Sequence, residues 1–134
     1  MPFYADTAEL YARLSALFDC VAASYPRASD AIAAARLIIR LSTEAPEGEI
    51  VINGREKPVQ MSYGANGLRP DLEISLAADT LHRILMGELS LAKALGAGQL
   101  KVRGPIWKTM ALSELFAVGQ RCYPGILQAQ MTDR

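Results

Sequence analysis

The 134-residue chain has no excess of charge of either sign, because its 14 Lys and Arg balance its 14 Asp and Glu. Nucleic-acid-binding domains and proteins held at anionic membranes carry clustered positive charge, so the balance argues against both kinds of partner. The chain has only two cysteines and one histidine, which is too few for a zinc cluster or a disulfide-rich fold. No apolar run approaches the ~20 residues that cross a bilayer, so we expect no stable membrane insertion.

The N-terminus carries neither a basic segment nor a long apolar run, so the sequence predicts no signal peptide. We therefore expect a cytoplasmic protein in which Cys20 and Cys122 stay reduced and buried. The length is typical of a single domain, here residues 1–134. Hydrophobic residues make up 51% of the chain, which suits an unusually apolar interior or the interface of a homodimer.

An N-terminal helical region is predicted over about residues 1–35. Asp6 and Glu9 have the spacing of a capping box, in which each side chain bonds a free backbone N–H at the helix start. Apolar residues then follow at intervals of three or four, which gives the helix one apolar face. Pro26 ends this helix, and a second short helix follows it.

Five strands are predicted from branched residues and from the alternation of apolar and polar side chains. They cover Leu37–Ser42, Glu49–Ile52, Arg55–Tyr63, Leu72–Leu76 and the stretch around Leu100 and Val102. Asn53–Gly54 predicts a tight hairpin turn between the second and third strands. Pro58 cannot donate a backbone hydrogen bond, so the third strand is predicted at a sheet edge. The alternation gives the sheet one wet face and one buried face that helices must cover.

Helices are predicted after the fourth strand and at the end of the chain. Asp79 is expected to cap a helix that Gly87 ends, and Ser90 is expected to cap the next one. Pro105 stands where the first residue of a final helix is predicted, a position that favours proline. A short apolar tail is predicted after Pro124.

The most informative motifs lie within Asp71–Gly104, about a quarter of the chain. Asp71 opens a strand that leads into a polar-capped helix ending at Gly87, in a D-x-x-I-x-x-S-x-x-D-L…G pattern. Leu95–Gly104 follows an A-x-x-x-G-x-L-K-V-x-G pattern, in which a strand ends at a glycine before the last helix. Both stretches resemble the sterol carrier protein-2 (SCP-2-like) family. The family has an acidic residue after the final glycine, where this chain has Pro105.

The resemblance implies an α+β fold, with a mostly antiparallel five-stranded sheet covered on one face by helices. It also implies an apolar cavity between sheet and helices that holds a sterol, fatty acyl chain, phospholipid or isoprenoid, without a metal or cofactor. Non-catalytic binding or transfer of such a hydrophobic ligand is the expected function. The residues expected to line the cavity are Met61, Tyr63, Ile74, Leu76, Leu81, Ile84, Leu85, Leu95, Leu100, Val102, Trp107 and Met110.

Other readings of the same residues stay open. The apolar set also suits an ordinary solid core, in which case the domain is a dimerisation or scaffold module of a lipid- or quinone-modifying complex. A lipid-modifying enzyme would use His82 or Tyr63 for proton transfer. His82 itself is predicted to lie solvated on its helix, and Tyr63 is a candidate to hydrogen-bond a ligand headgroup. Four cations are expected on the solvated sheet face rather than in a headgroup patch: Arg40, Lys101, Arg103 and Lys108.

Overall fold

The computed structural model describes residues 3–132, and it describes their side chains except at residues 106, 107 and 129–132. The helices are α1 (Thr7–Ser24), α2 (Asp30–Ala34), α3 (Ala78–Leu85), α4 (Leu91–Gly96) and α5 (Ser113–Thr132), with a 3₁₀ helix (Ile106–Leu112) directly before α5. The strands are β1 (Ile38–Glu44), β2 (Gly48–Asn53), β3 (Gln60–Tyr63), β4 (Leu72–Ala77) and β5 (Leu100–Arg103).

The five strands form one mixed sheet in the order β3-β2-β1-β4-β5. Neighbouring strands are antiparallel except β1 and β4, which pair in parallel with Ile39 opposite Leu72. The sheet is therefore mostly antiparallel, and the predicted α+β fold class is confirmed. β3 is an edge strand as predicted, although Pro58 lies in the loop before it and outside the strand.

Alternation along the strands separates an inner face from an outer face. On the inner face, Ile39, Ile52 and Leu72 lie side by side on three strands, and all three are fully buried. These residues and the apolar faces of the helices form one core cluster, so the helices cover the inner face. On the outer face, Nη2 of Arg40 donates to Oε2 of Glu73 at 2.7 Å. The predicted division into a buried and a polar face is present except at Ile38 and Val51, which are buried on the outer face and do not belong to the core cluster.

The connection between β3 and β4 crosses the outer face. β3 and β4 run in the same direction, because β3 is antiparallel to β2, β2 is antiparallel to β1, and β1 is parallel to β4. Residues 64–70 must therefore return from one end of the sheet to the other. Nδ2 of Asn66 donates to Oγ of the outer-face residue Ser62 at 2.9 Å on the way. We call residues 64–70 the crossing segment.

Three helix boundaries lie where local residues in the sequence predict them. Asp6 caps α1, since its Oδ1 accepts from the Glu9 N–H at 2.8 Å. Ser90 caps α4, since its Oγ accepts from the Lys93 N–H at 3.1 Å. Gly87 follows α3 at a φ of +78°, in the left-handed region that glycine enters at little cost.

The tight hairpin predicted at Asn53–Gly54 is wrong. Asn53 pairs with Gln60, so residues 54–59 form a longer loop between β2 and β3. The glycine serves a different purpose, because its N–H donates to the carbonyl of Leu37 at 2.7 Å. A Cβ at Gly54 would come 2.7 Å from that same oxygen, so the chain needs glycine here for close backbone approach.

Asp79 anchors the N-terminal segment instead of capping α3. The helix begins at Ala78 without a side-chain cap, and Oδ1 of Asp79 accepts from the N–H of Phe3 at 2.8 Å. The expected cap was a local hydrogen bond, and a partner 76 residues away in sequence has replaced it.

The C-terminal region also differs from the prediction. Pro105 precedes the 3₁₀ helix rather than opening α5, and α5 continues through Pro124 to Thr132. A proline inside a helix costs about 3 kcal/mol, because it removes one hydrogen bond and crowds the preceding turn. Tyr123 and Leu127 are buried on either side of Pro124, and their packing offsets this cost.

Candidate functional site

Half of the predicted lining residues lie in the centre of the core. They are at most 6% exposed and belong to one apolar cluster between the sheet and the helices. These residues are Ile74, Leu76, Leu81, Ile84, Leu85 and Leu100. Their alternation on β4 and β5 and their spacing on α3 turn them all toward the same interior.

Four of the other predicted lining residues lie at the margins of this cluster. Met61 and Tyr63 on β3 and Leu95 and Val102 near β5 are partly buried against it. Met110, on the 3₁₀ helix, is 75% exposed, so the structure does not bring it into the cluster. The side chain of Trp107 lies outside the part of the chain that the structure describes.

The β3 edge is the margin where aromatic side chains collect. Tyr11 and Phe18 of α1 lie partly buried against the same cluster as Met61 and Tyr63. The rings of Tyr11 and Tyr63 have centroids 5.8 Å apart. We call Tyr11, Met61, Tyr63 and Val59, which precedes β3, the β3-edge cluster. The periodicity of α1 placed Phe18 on its apolar face, but nothing local in the sequence links α1 to β3.

Tyr63 is the polar group within the β3-edge cluster. Burial, with a smaller contribution from Asp19, raises the pKa of its hydroxyl to about 12. No residue of the described chain hydrogen-bonds this hydroxyl, and the atom is not sealed from water. The site therefore combines a half-buried apolar surface with one neutral hydroxyl. Such a surface suits an apolar chain with an uncharged polar end better than it suits an ionic group.

His82 is not the solvated residue that the sequence predicts. Its Nδ1 lies 2.7 Å from the hydroxyl of Tyr123, and that hydroxyl also hydrogen-bonds the hydroxyl of the buried Tyr4. The ring of Phe3 stacks on the imidazole with centroids 3.6 Å apart. Desolvation lowers the pKa of His82, with the nearby Arg13 acting in the same direction. The arrangement fixes the N-terminal segment to α3 and α5.

An open depression of about 940 Å³ lies at the end of the sheet where β1 and β4 finish. Its lining is rich in hydroxyl and carboxylate groups, with Ser42, Ser75 and Glu47 among them. Water hydrates such a surface well, so this depression does not have the character of the apolar cavity that the resemblance implies. Lys101 lines the same depression.

The described residues form neither a metal centre nor a membrane-spanning helix. Within the described residues, no three His, Cys, Asp or Glu side chains are close enough together to hold a metal ion. None of the described helices is long and apolar enough to cross a membrane. The two thiols, Cys20 of α1 and Cys122 of α5, are half-buried and unbridged. Burial, and then the hydrogen bond between these thiols, raises the pKa of Cys122 to about 11.

Comparison with known protein families identifies the family to which this fold belongs. The model of the SCP-2 sterol transfer family matches residues 18–117, which is about three quarters of the chain. The chain belongs to the SCP-2 sterol transfer family. The match takes in all five strands of this SCP-2 domain and every predicted lining residue. It confirms the resemblance seen in Asp71–Gly104.

Solved structures share the fold of this SCP-2 domain at low sequence identity. The sterol carrier protein domain 2 of Helicoverpa armigera is 21% identical, with a TM-score of 0.67 over 84% of this chain and 88% of that one. Sterol carrier protein 2 of Yarrowia lipolytica, in its apo form, is 16% identical, with a TM-score of 0.55 over 72% and 77%. A ubiquinone synthesis protein named UbiJ-SCP2 is 18% identical, with a TM-score of 0.58 over 91% and 95%. None of the curated proteins compared with this chain matches it.

Proposed function

We propose that this SCP-2 domain binds and carries an apolar ligand, such as a sterol, fatty acyl chain, phospholipid or isoprenoid, without changing it chemically. The observation that supports this most directly is the β3-edge cluster, where a continuous apolar core reaches the surface as half-buried side chains. We place the entrance for the ligand there, with the buried residues of β4, α3 and β5 further along its path. Their role as ligand contacts is part of the proposal.

The energetics of such binding are favourable without a specific polar contact. Each buried CH₂ group contributes roughly 0.8 kcal/mol, so a 16-carbon chain supplies up to ~13 kcal/mol before ordering costs. Micromolar affinity requires only about 8 kcal/mol, so a loose fit suffices. Met61 is an unbranched, adaptable side chain, which suits ligands of different shape. We therefore expect the domain to accept more than one class of apolar tail.

The positions of the two candidate catalytic residues support a carrier over an enzyme. Nδ1 of His82 is engaged by the Tyr123 hydroxyl inside a packed aromatic group. Tyr63, with its pKa raised to about 12, is a weak acid and remains protonated at neutral pH. Efficient general acids and bases have pKa values near the working pH, which Tyr63 does not. The two unbridged thiols fit a reducing compartment such as the cytoplasm.

The test is titration of the purified protein with fluorescent NBD-stearate, cholesterol and an isoprenoid alcohol, with mass spectrometry of any lipid that co-purifies. The Met61→Glu variant puts a charge into the β3-edge cluster. It should weaken binding by at least about tenfold, because an unpaired charge in apolar surroundings costs several kcal/mol. Gln60→Glu is the matched control, since Gln60 is the exposed neighbour on the opposite face of the same strand.

Two results would count against the proposal at different levels. If the unaltered protein binds none of the three probes saturably, the domain is not an apolar-ligand carrier. If it binds them, and Met61→Glu behaves like Gln60→Glu, ligand does not enter at the β3 edge. Circular dichroism of both variants checks that a loss of binding does not reflect unfolding.

A second candidate function is a dimerisation or scaffold module of a lipid- or quinone-modifying complex. The observation that favours it is the overlay on the ubiquinone synthesis protein UbiJ-SCP2, which extends over nearly the whole of both chains. Light scattering with lipid analysis separates the two functions. A stable dimer that carries no lipid and binds no probe supports the scaffold, whereas a monomer with bound lipid supports the carrier.

A further inference from the structure

The two cysteines of the chain meet where α1 packs against α5. Cys20 lies one turn before the end of α1, and Cys122 lies near the middle of α5. Their side chains hydrogen-bond each other, although they are far apart in sequence and no disulfide joins them. The fold therefore brings together the two sulfur atoms that a disulfide would connect.

Contacts on both sides of Cys122 hold this part of α5 in place. The guanidinium carbon of Arg121 lies 6.0 Å from the ring centroid of Tyr25, at the C-terminal end of α1. On the other side, the hydroxyl of Tyr123 hydrogen-bonds the hydroxyl of Tyr4, which precedes α1. Cys122 itself packs against the core cluster. The two thiols are thus neighbours in a fixed setting and do not depend on chance collision.

Both thiols keep part of their surface in contact with solvent, since each is half-buried. A small oxidant can approach a thiol with this exposure, whereas a thiol sealed in the core is inert. Redox-active cysteines are often placed beside a second thiol that resolves the first oxidation product. Cys20 and Cys122 have this arrangement.

We propose that Cys20 and Cys122 form a site of reversible oxidation, where a low-molecular-weight disulfide such as glutathione disulfide converts the two thiols into a disulfide. The bond joins two helices whose buried residues belong to the core cluster over the inner sheet face. Oxidation would therefore fasten the helical cover of the sheet. The proposal goes beyond the carrier function and does not depend on it, because no step involves a lipid.

The reaction balances with glutathione disulfide as the oxidant. The Cys20 thiolate attacks one of its sulfurs, the sulfur–sulfur bond breaks, and one glutathione leaves as a thiolate. Cys122 then attacks the Cys20 sulfur of the mixed disulfide, and the second glutathione leaves. Each departing glutathione takes up the proton that the attacking thiol has lost. The protein loses two electrons and two protons, and glutathione disulfide becomes two glutathione thiols.

The order of the two attacks follows from the surroundings of Cys122. Burial raises the pKa of Cys122 to about 11, and its hydrogen bond with Cys20 and the charge of a Cys20 thiolate act in the same direction. Cys122 therefore keeps its proton at neutral pH. Because the thiolate is the attacking form, the first step is assigned to Cys20 and the resolving step to Cys122.

The site is tested by equilibrating the protein with graded ratios of reduced to oxidised glutathione, followed by acid quenching and mass spectrometry. The same titration is carried out in urea that unfolds the chain. Since the chain has two cysteines, a monomer that has lost two hydrogens and carries no glutathione contains this disulfide. The equilibrium constant for closing the bond should be at least about a hundredfold larger in the folded protein, because a flexible loop gives the thiols only a millimolar effective concentration.

The matched control moves one thiol to the neighbouring exposed position, in the double variant Cys20→Ala with Asp19→Cys. Adjacent residues of a helix point about 100° apart, so the relocated thiol is turned away from Cys122. Its equilibrium constant should be no larger than that of the unfolded chain. Oxidation should raise the melting temperature of the unaltered protein by about 10 °C and should not raise that of the control. Circular dichroism checks that the control is folded.

The proposal is overturned if the equilibrium constant in the folded protein is no larger than in the unfolded chain. It is also overturned if the folded protein yields only mixed disulfides with glutathione, if the relocated control closes as readily, or if excess reduced glutathione does not restore both thiols. An unchanged melting temperature after oxidation would contradict it as well. Failure of the carrier function leaves all of these results unaffected.

Discussion

The centre of the inner sheet face and its β3 edge have the same alternation of apolar and polar side chains. They differ in how completely the rest of the protein buries the apolar ones. Ile39 and Ile74 in the centre are at most 2% exposed, whereas Met61 and Tyr63 at the edge are only partly buried. The central strands have a neighbour on each side, and β3 pairs only with β2. An identical sequence pattern therefore produces a closed core in one place and an accessible apolar surface in the other.

The largest difference between centre and edge should be in stability. Ile39→Ala leaves a cavity in closely packed surroundings and should lower the free energy of unfolding by about 2–5 kcal/mol. Met61→Ala removes a side chain that already contacts solvent. It should therefore lower the free energy of unfolding by at most half as much as Ile39→Ala. Urea unfolding at equilibrium measures both. Equal losses at the two positions would mean that the edge is packed as tightly as the centre.

A second contrast concerns two tyrosine hydroxyls. Tyr123→Phe removes the hydroxyl that connects Tyr4 and His82, and leaves the buried Tyr4 hydroxyl without this partner, at a cost of about 1–3 kcal/mol. Tyr63→Phe should leave stability unchanged, because no described residue bonds its hydroxyl. Chemical denaturation of the two variants under identical conditions checks this. A substantial loss for Tyr63→Phe would contradict the open character of the edge.

A substitution on the outer face of the same central strands should change the free energy of unfolding less. Glu73→Gln removes the ion pair with Arg40, whose two side chains keep 19% and 27% of their exposure. Pairs with this much solvent contact contribute about 0–1 kcal/mol. The difference from the unaltered protein should shrink as salt is raised to about 1 M, where screening is strong. A loss comparable with that of Ile39→Ala would show that the two faces contribute equally.

The smallest effect concerns pH. Desolvation lowers the pKa of His82 below its ordinary 6.5, so the unfolded chain takes up a proton more readily than the folded one. The contribution of the neutral imidazole is present above about pH 6.5 and is lost as the pH falls below it. Asp79 and Glu88 oppose this shift and Arg13 reinforces it.

Thermal unfolding between about pH 7.5 and 5 tests the contribution of His82. His82→Asn keeps a neutral acceptor near the position of Nδ1 and should show a flatter pH profile than the unaltered protein. Parallel profiles for the two proteins would show that His82 does not titrate differently on folding.

The sequence predicts the parts of the fold that depend on neighbouring residues. The cap that Asp6 forms with the Glu9 N–H, the cap at Ser90 and the left-handed Gly87 each involve groups within one helical turn. The alternation on the strands places the buried face correctly for the same reason. It does not determine how completely each strand is covered, because cover depends on elements elsewhere in the chain, as Met61 shows.

The missed features depend on contacts between residues far apart in sequence. His82 and Tyr123 are 41 residues apart, and Tyr4 and Tyr123 are 119 apart, so no local pattern joins them. Lys108 was expected beside Arg40 on the sheet face, yet it lies on the 3₁₀ helix, near Arg36 at the end of the sheet where β1 and β4 begin. Residues from such separate segments have no spacing that a sequence pattern can recognise.

β3 pairs with a single neighbour and is joined to β4 by the exposed crossing segment. Detaching β3 breaks one four-residue ladder and leaves the other strand pairs intact. Such local openings require much less free energy than unfolding of the whole domain. The backbone amides of β3 should therefore exchange with deuterium long before those of β1, and each opening event would widen access to the interior without melting the rest of the sheet.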